Sequence, residues 1–403
     1  MSRKICLITG SRADYGHMQW LARDIADDAN LELQILVTGS HVSPRFGETY
    51  REIEADGFVI SAKVPLPDGD MSLDVARAVG AATTGLAEAL ERLDPDIVVI
   101  LGDRYEMLAA ASAALILRIP VAHLHGGEVT EGAFDESIRH AITKMSHLHF
   151  TAAEPYARRV RQMGEAPERV FQFGTPGLDA LIRSEMMSRQ ELSASLGFDL
   201  VQRFIMISYH PVTLSNAAPA VAVNEMLAAL DAFADYRVVI SGVNADTGNS
   251  EIAAVVQRFA ANNEGRALFV DSLGHRRYLS ALNFAETLIG NSSSGIVEAP
   301  SVGTPSVNIG DRQKGRLRAA SVIDCGESRL EIEDAITRAL DPDFLKTAWQ
   351  VEPPYGRSGA SVKIKNVLAT VSLENIITKP FHDQEPAYSR ASTIPYRNRS
   401  KRL

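Results

Sequence analysis

The sequence is poor in cysteine, in long apolar runs and in excess positive charge, and each shortage excludes a class of protein. The two cysteines, Cys6 and Cys325, provide neither a disulfide framework nor a thiolate metal site. No run approaches the roughly 20 apolar residues that a membrane span needs. The formal net charge of -9 disfavours nucleic acid as a partner, because binding phosphates needs a basic face. We therefore expect a cytoplasmic protein that binds neither nucleic acid nor membrane.

The chain has 403 residues, which exceeds the size at which one hydrophobic core stops growing, so two domains are expected. In the first half, short apolar runs alternate with segments whose apolar residues recur at helical spacing. Continuous apolar strands separated by helices are typical of a parallel sheet that is covered on both faces. The predicted strands are Lys4–Thr9, Leu31–Val37, Asp96–Leu101, Pro120–Leu124 and His147–Thr151, and the predicted helices are Met18–Ala29, Tyr105–Leu117 and Asp135–Ser146.

The same alternation restarts after a segment rich in glycine and proline, at residues 173–179. We therefore predict two Rossmann-like, doubly wound α/β domains, residues 1–180 and 181–378, that face a central cleft. The polar segment 379–403 is predicted to be a disordered tail. The second set of predicted strands is Arg203–Ser208, Tyr236–Ser241, Arg266–Val270, Thr287–Ile289 and Pro305–Asn308, and a last helix, Ala360–Ile377, is predicted to return to the first domain.

Polar segments follow the strands of the first half, where ligands of open α/β sheets bind. The segment 10–16 (GSRADYG) matches neither GxGxxG nor a P-loop, but Arg12 and the amides of a helix N-terminus suit an anionic ligand. A solvated arginine in a polar turn is the alternative. In the segment 102–106 (GDRYE), Asp103 could be a catalytic carboxylate and Arg104 a phosphate ligand. An internal ion pair that caps the next helix is the other interpretation.

The third segment carries His123, His125 and Glu128. Strand alternation places the two histidines on the same side, which suggests a zinc triad at first sight. The spacing fits no helical HExxH motif, however, and a core histidine bonded to a backbone carbonyl explains one of the two equally well. Asp135 and Arg139 are four residues apart and share a helix face, either as an exposed ion pair or as part of the site.

In the second half, His210 follows the predicted strand RFIMIS and could shuttle protons, because imidazole titrates near neutrality. Asn244 and Asp246 follow the next strand, YRVVIS, in a similar polar set.

The segment 290–295 (GNSSSG) contains three serines and two glycines, more than a single helix N-cap needs. We expect its hydroxyls and amides to hold a diphosphate. Glu298 follows within about a turn and could receive ribose hydroxyls, and Arg312 adds a cation beyond the next strand. A plain capping cluster is the alternative.

With these motifs in view, the chain resembles the hydrolysing UDP-N-acetylglucosamine 2-epimerases that open bacterial sialic acid biosynthesis. The resemblance rests on GSRADYG, LGDRYE, HLHGGEVTEGAFDESIRHAITKMSHLH, SYHP, VNADTG, GNSSSGIVEAPS and NIGDRQKGRLR, which extend from residue 10 to about residue 324. It implies a GT-B-like fold. It also implies elimination of UDP across C1 and C2 to a 2-acetamidoglucal, followed by water addition that inverts C2 and releases N-acetylmannosamine.

The resemblance also implies roles for individual residues. Neither a metal nor another cofactor is implied, and the family forms dimers or tetramers. The superfamily often has a glutamate where His125 stands, which leaves open which group removes the C2 proton. The implied catalytic residues are Asp103, His125, Glu128, Asp135, Arg139 and His210. The implied UDP-binding residues are Arg12, Arg104, Ser292, Ser293, Glu298 and Arg312, with Asn244 and Asp246 nearer the uracil or the cleft wall.

Three alternatives remain. The first keeps the mechanism and changes the substrate to UDP- or GDP-linked N,N'-diacetylbacillosamine, towards legionaminic acid. The second is a GT-B glycosyltransferase, which would need an acceptor. The third is a nucleotide-sugar sensor without catalytic activity, although a cleft dense in ionisable groups is poor evidence for a sensor.

Overall fold

The computed structural model describes residues 2–67, 69, 71–129, 134–210, 219–242 and 249–384. Within these ranges the chain forms a seven-stranded and a six-stranded sheet, each entirely parallel. The first sheet contains β1 (Arg3–Thr9), β2 (Leu31–Thr38), β3 (Ala62–Val64), β4 (Ile97–Leu101), β5 (Val121–Leu124), β6 (Leu148–Thr151) and β7 (Val170–Gln172). The second contains β8 (Phe204–Ser208), β9 (Arg237–Ser241), β10 (Ala267–Val270), β11 (Thr287–Gly290), β12 (Ser306–Ile309) and β13 (Val322–Cys325).

Helices connect these strands and cover the faces of both sheets. In the first half they are α1 (Arg12–Ala26), α2 (Tyr50–Ala55), α3 (Ser72–Leu93), α4 (Tyr105–Ile116), α5 (Asp135–Met145), α6 (Glu154–Gln162), α7 (Ala180–Arg183) and α8 (Arg189–Leu196). In the second half they are α9 (Pro219–Ala229), α10 (Asn249–Asn262), α11 (Gly274–Phe284), α12 (Glu298–Val302), α13 (Arg329–Ala339), α14 (Pro342–Ala348) and α15 (Ala360–Thr370). No helix of the described ranges is long and apolar enough to cross a membrane.

Both sheets have the strand order of a Rossmann fold. The first runs β3-β2-β1-β4-β5-β6-β7 and the second β10-β9-β8-β11-β12-β13. The order reverses between β1 and β4 in one sheet and between β8 and β11 in the other. Ligands bind at such reversal points, beyond the carboxyl ends of the strands. The loops after β1, β4, β8 and β11 are therefore the places where the fold favours a site.

Alternation along β1 shows why the sheet is buried on both faces. Ile5 and Leu7 pack into one apolar cluster, whereas Cys6 and Ile8 pack into the cluster on the opposite face. All four side chains are almost fully buried. Burial also raises the pKa of the Cys6 thiol to about 12, so Cys6 is a small core residue.

All ten predicted strands are present, which confirms the α/β architecture. The sequence missed β3, β7 and β13, and each is an edge strand of its sheet. Edge strands of three or four residues bury less than central ones, so their apolar signal is weak. The long helix α3 was missed as well.

Two helix boundaries differ from the prediction. Helix α1 begins at Arg12 rather than at Met18, because the Ser11 side chain accepts a hydrogen bond from the Asp14 amide and caps the helix. The last helix, α15, ends at Thr370 rather than at Ile377. It packs on α1, and the guanidinium of Arg3 donates to the backbone carbonyl of Leu368 at 2.6 Å.

Residues 379–384 of the predicted tail contact the first domain. The Lys379 ammonium lies 3.0 Å from the buried carboxylate of Glu165, and the His382 amide donates to the Gly164 carbonyl at 2.9 Å. The buried carboxylate of Glu165 thus binds the lysine that opens the segment, and the disordered tail stays a prediction. Residues 385–403 lie outside the described residues, and the division at 180/181 stays a prediction.

Candidate active site

Asp103 and Arg139 meet at the carboxyl end of the first sheet. Asp103 follows β4, and Arg139 extends from α5 to donate one guanidinium nitrogen to the Asp103 carboxylate. Another guanidinium nitrogen donates to the backbone carbonyl of His125 at 2.9 Å. Arg139 is only 5% exposed, so its ion pair with Asp103 is largely buried and differs from the exposed pair with Asp135 that their four-residue spacing would allow.

His125 is fixed by contacts on both ring nitrogens. Its Nδ1 lies 2.9 Å from the Glu128 carboxylate, and its Nε2 lies 2.9 Å from the Thr175 hydroxyl. The backbone of His125 is left-handed, with φ of 63°, so β5 ends abruptly at this residue and its ring is turned to a new direction. The second histidine, His123, has a structural role: its Nε2 lies 2.8 Å from the Gly102 carbonyl. The two histidines therefore do not act together as a metal-binding pair.

Charges from both domains converge on Glu128. Burial opposes ionisation of Glu128, but His125, Arg139 and Arg316 outweigh it and lower the pKa of the carboxyl to about 2. Arg316 belongs to the second half of the chain, beyond β12. It also favours the ionised form of Glu298, at the start of α12. Charged side chains of both domains therefore lie close enough to Glu128 to affect its ionisation.

Asp135 differs electrostatically from its neighbours. Burial and the nearby charge of Asp103 raise the pKa of the Asp135 carboxyl above its ordinary value, although Arg104 and Arg139 oppose the shift. Asp103 itself is held by an arginine. Two nearby carboxyl groups in unlike surroundings are a common basis for dividing the roles of proton donor and acceptor.

The Arg104 guanidinium binds the carboxylate of Glu106 rather than that of Asp103. Its guanidinium makes two hydrogen bonds, at 2.8 and 3.2 Å, to the fully buried Glu106 carboxylate. Asp14 of α1 lies close by, and burial raises the pKa of its carboxyl to about 6. The predicted internal ion pair therefore exists, with Glu106 as the acid, and the Arg104 side chain is still 42% exposed.

Arg12 stands apart from this group. Its guanidinium is 61% exposed and lies 3.8 Å from Glu52, a weak surface pair. No described contact brings Arg12 to the other predicted phosphate ligands.

Asn291 joins the strand ends of the second domain. Its side chain accepts from the His210 amide at 2.7 Å and donates to the His210 carbonyl at 2.8 Å, which ties the end of β8 to the end of β11. The Asn291 carbonyl accepts from Arg312 at 3.1 Å and from Gln313 at 2.9 Å. His210, Arg312 and the serine segment are thereby brought together.

The serine segment, residues 290–295, contains a capped turn and lies close to a carboxyl group whose Oε2 has no hydrogen-bond partner among the described residues. The Ser292 hydroxyl accepts from the Ser294 amide at 3.3 Å and caps a short 3-10 turn, in which Ser293 is the first residue. The Tyr278 hydroxyl lies beside Ser292 and Ser294, and burial raises its pKa to about 12. Burial also raises the pKa of Glu298, whose Oε2 has no hydrogen-bond partner among the described residues. Such a carboxyl suits the hydroxyls of a ligand.

Asn244 and Asp246 lie outside the described residues. The sequence also missed several residues of the cleft: His17, Thr175, Tyr278, Asn291 and Arg316. Asn291 and Arg316 lie inside motifs that were singled out, but their partners are distant in sequence. For His17 and Thr175 no local pattern signals a role.

The family model for UDP-N-acetylglucosamine 2-epimerase matches residues 23–369. The chain belongs to this family. It is 39% identical to the hydrolyzing GDP/UDP-N,N'-diacetylbacillosamine 2-epimerase of Campylobacter jejuni, over 94% of this chain and 99% of the relative. It is 36% identical to the hydrolyzing UDP-N,N'-diacetylbacillosamine 2-epimerase of Legionella pneumophila, over 94% and 98%. The predicted enzyme class, a hydrolysing nucleotide-sugar 2-epimerase, is thereby confirmed.

A solved structure of the family has the same fold. The UDP-N-acetylglucosamine 2-epimerase of Neisseria meningitidis, bound to UDP-GlcNAc, superposes with a TM-score of 0.74 over 91% of this chain and 99% of that chain, at 17% identity. The predicted GT-B-like fold is confirmed. The roles of the individual site residues stay predictions.

Proposed function

We propose that this 2-epimerase hydrolyses UDP- or GDP-linked N,N'-diacetylbacillosamine to the free nucleotide and a sugar epimerised at C2. The observation that carries the proposal is the similarity, across 94% of the chain, to two hydrolyzing enzymes named for this substrate. From the sequence alone, the UDP-linked N-acetylglucosamine was the favoured substrate and the nucleotide-linked diacetylbacillosamine was the alternative. We place diacetylbacillosamine first, since these two relatives are 39% and 36% identical over 94% of the chain, whereas a UDP-N-acetylglucosamine 2-epimerase of Neisseria meningitidis is 31% identical over 84% of it.

The first step is elimination. A base removes the C2 proton, the C1–oxygen bond breaks, and the diphosphate leaves with the bonding electrons. Negative charge grows on the departing diphosphate, so donors must be in place before the bond breaks. We assign this task to Arg312, Ser292 and Ser293, which the Asn291 contacts gather at the ends of β8 and β11. We assign Arg104 as a second cation for the diphosphate, and Glu298 as the acceptor of the ribose hydroxyls.

Two acid–base groups act at C2 of the sugar. Inversion requires that the proton leave one face of the sugar and that another arrive on the opposite face. We assign the removal to Asp103, whose carboxylate is ion-paired with Arg139, and the return to Asp135, whose raised pKa favours proton donation. His210, His125 and Glu128 complete the acid–base set, with His125 oriented by Glu128 and Thr175.

Parallel incubation with three sugar nucleotides tests the proposal. Purified protein receives UDP- and GDP-linked N,N'-diacetylbacillosamine and UDP-N-acetylglucosamine, without any acceptor. Release of the nucleoside diphosphate is followed, and the sugar is identified by NMR. We expect free nucleotide and the C2 epimer from a diacetylbacillosamine substrate at the highest kcat/KM. Preference for UDP-N-acetylglucosamine would support the substrate that the sequence alone favoured. Turnover only with an acceptor would indicate a glycosyltransferase.

We also propose that the enzyme works in the cytoplasm as a homo-oligomer, a dimer or tetramer. Two cysteines without a disulfide between them suit a reducing compartment. Light scattering coupled to gel filtration measures the assembly, and a monomer at micromolar concentration would contradict it.

A further inference from the structure

His17 lies beside His125 of the candidate active site, yet the reaction as assigned above does not use it. It occupies the second turn of α1, and its ring lies 5.6 Å from the ring of His125 at an interplanar angle of 51°. Its Nδ1 is buried and makes no hydrogen bond with any residue in the described ranges. An imidazole nitrogen buried without a partner costs free energy, so the position calls for a reason beyond packing.

Groups from both domains surround the His17 ring. His125 and Glu128 of the first domain and Arg316 and His275 of the second are close enough to alter its protonation. The space it occupies exists because residue 177 is a glycine: a Cβ at Gly177 would collide with Nδ1. His17 therefore packs against Gly177 and lies beside His125, close to charged groups of both domains.

The surroundings keep this imidazole neutral. Burial, together with the charges of His125, Arg316 and His275, lowers the pKa of His17 to about 4, and Glu128 opposes the shift. At neutral pH the ring has one nitrogen with a free electron pair. The electron pair of the neutral ring can accept a proton from water as the water oxygen bonds to carbon.

We propose that His17 is a further catalytic residue, the base that activates water in the second step; the proposal rests on the function proposed above. The water oxygen bonds to C1 of the unsaturated sugar, and one water proton passes to His17. The C1–C2 double bond takes up a proton at C2 from the acid assigned to Asp135. His17 then releases its proton to solvent and Asp135 takes up a proton from solvent, so the net change is addition of one water molecule.

Two substitutions at His17 separate the second step from the first. His17→Leu removes both nitrogens, and His17→Gln keeps a hydrogen-bonding side chain that cannot accept the proton. In a single turnover we expect release of the nucleoside diphosphate within about twofold of wild type. The unsaturated sugar should accumulate, and the free epimer should form about 100-fold more slowly, the scale of general-base catalysis. His382→Leu, the same change at an exposed histidine, should leave both steps unaffected.

A matched pair of glycine variants tests the same inference with His17 retained. Gly177→Ala displaces the His17 ring, whereas Gly16→Ala adds a methyl group to the helix of His17 where no described atom beyond its chain neighbours and the helix backbone lies within 4 Å. We expect Gly177→Ala to slow formation of the free epimer and Gly16→Ala to leave it unchanged. This pair keeps the inference testable should a His17 variant fail to fold.

The possible failures are distinguishable. The unsaturated sugar is also supplied directly, with UDP present, so that hydration is measured without elimination. The inference is overturned if the His17 variants hydrate it at the wild-type rate, or if they lose diphosphate release to the same extent as hydration. If the wild-type protein releases no diphosphate from any sugar nucleotide, it is the proposed function that fails.

Discussion

Arg139 joins the Asp103 carboxylate to the backbone carbonyl of His125 through two nitrogens of one guanidinium. The end of β4 and the end of β5 are thus held together by a single side chain of α5. A planar guanidinium can satisfy two acceptors in fixed directions, which an ammonium cannot do. Arg139 therefore orients the carboxylate that we assign to C2 as well as balancing its charge.

Arg139→Lys should lower kcat by about 10-fold, equivalent to about 1.4 kcal/mol of transition-state stabilisation, with little change in KM. The lysine keeps the charge but loses one of the two contacts. Steady-state kinetics of nucleotide release measures the effect. A rise in KM with kcat unchanged would mean that Arg139 binds substrate and does not position Asp103.

Asp103→Asn should lower kcat by about 100-fold or more while UDP binding is retained, because the amide is similar in shape but cannot accept the C2 proton. Asp343→Asn is the matched control, since the Asp343 side chain is 89% exposed. Kinetics and calorimetric titration with UDP test the two halves of the prediction. Unchanged turnover in Asp103→Asn would exclude it as the base.

Arg312→Ala should weaken UDP binding by about 10-fold or more, the scale of a hydrogen bond to a charged group, and affect kcat less. The same substitution at Arg329, which pairs with Glu333 on the surface of α13, serves as the control. Calorimetric titration with UDP measures both variants. Equal affinities in the two would contradict the placement of the diphosphate beside Asn291.

Glu165→Gln should destabilise the protein by about 3 kcal/mol at pH 7, because Lys144 and Lys379 would lose their buried counter-charge. Burial opposes ionisation, but His149 and the two lysines outweigh it and lower the pKa of Glu165 to about 2. A lowered carboxyl pKa stabilises the fold above pH 4.5, and this contribution is lost as the pH falls towards 2.

The difference between wild type and Glu165→Gln in urea unfolding should therefore shrink on acidification. Glu185→Gln, at a side chain that is 94% exposed, is the control and should have no effect at either pH. A difference that stays constant between pH 7 and pH 3 would contradict the assigned charge cluster.

The central strands could be predicted from the sequence because they are buried on both faces, and a run such as residues 96–101 has no other simple explanation. The edge strand at Ala62–Val64 could not, since three residues with one exposed lysine resemble a loop. The start of α1 was hidden for a different reason. Its first turn is polar, and only the Ser11 cap marks it.

The site was predictable where a motif follows a central strand, as Asp103 and Ser292 do. The sequence could not reveal that Arg316 acts on Glu128, since that relation depends on how two domains face each other. His17 was missed because a histidine on a helix has no local signature. Its environment is made by Gly177 and His125, which are more than 100 residues away.

Isotope incorporation in D₂O tests the central claim most directly. The claim is that the strand-end loops of both sheets hold one sugar nucleotide, which loses its C2 proton and its diphosphate and then gains water. NMR of the free sugar formed from UDP-linked N,N'-diacetylbacillosamine should show one deuterium at C2, inverted configuration at that carbon, and one equivalent of UDP. A free sugar that keeps its C2 proton and its original configuration would contradict the account.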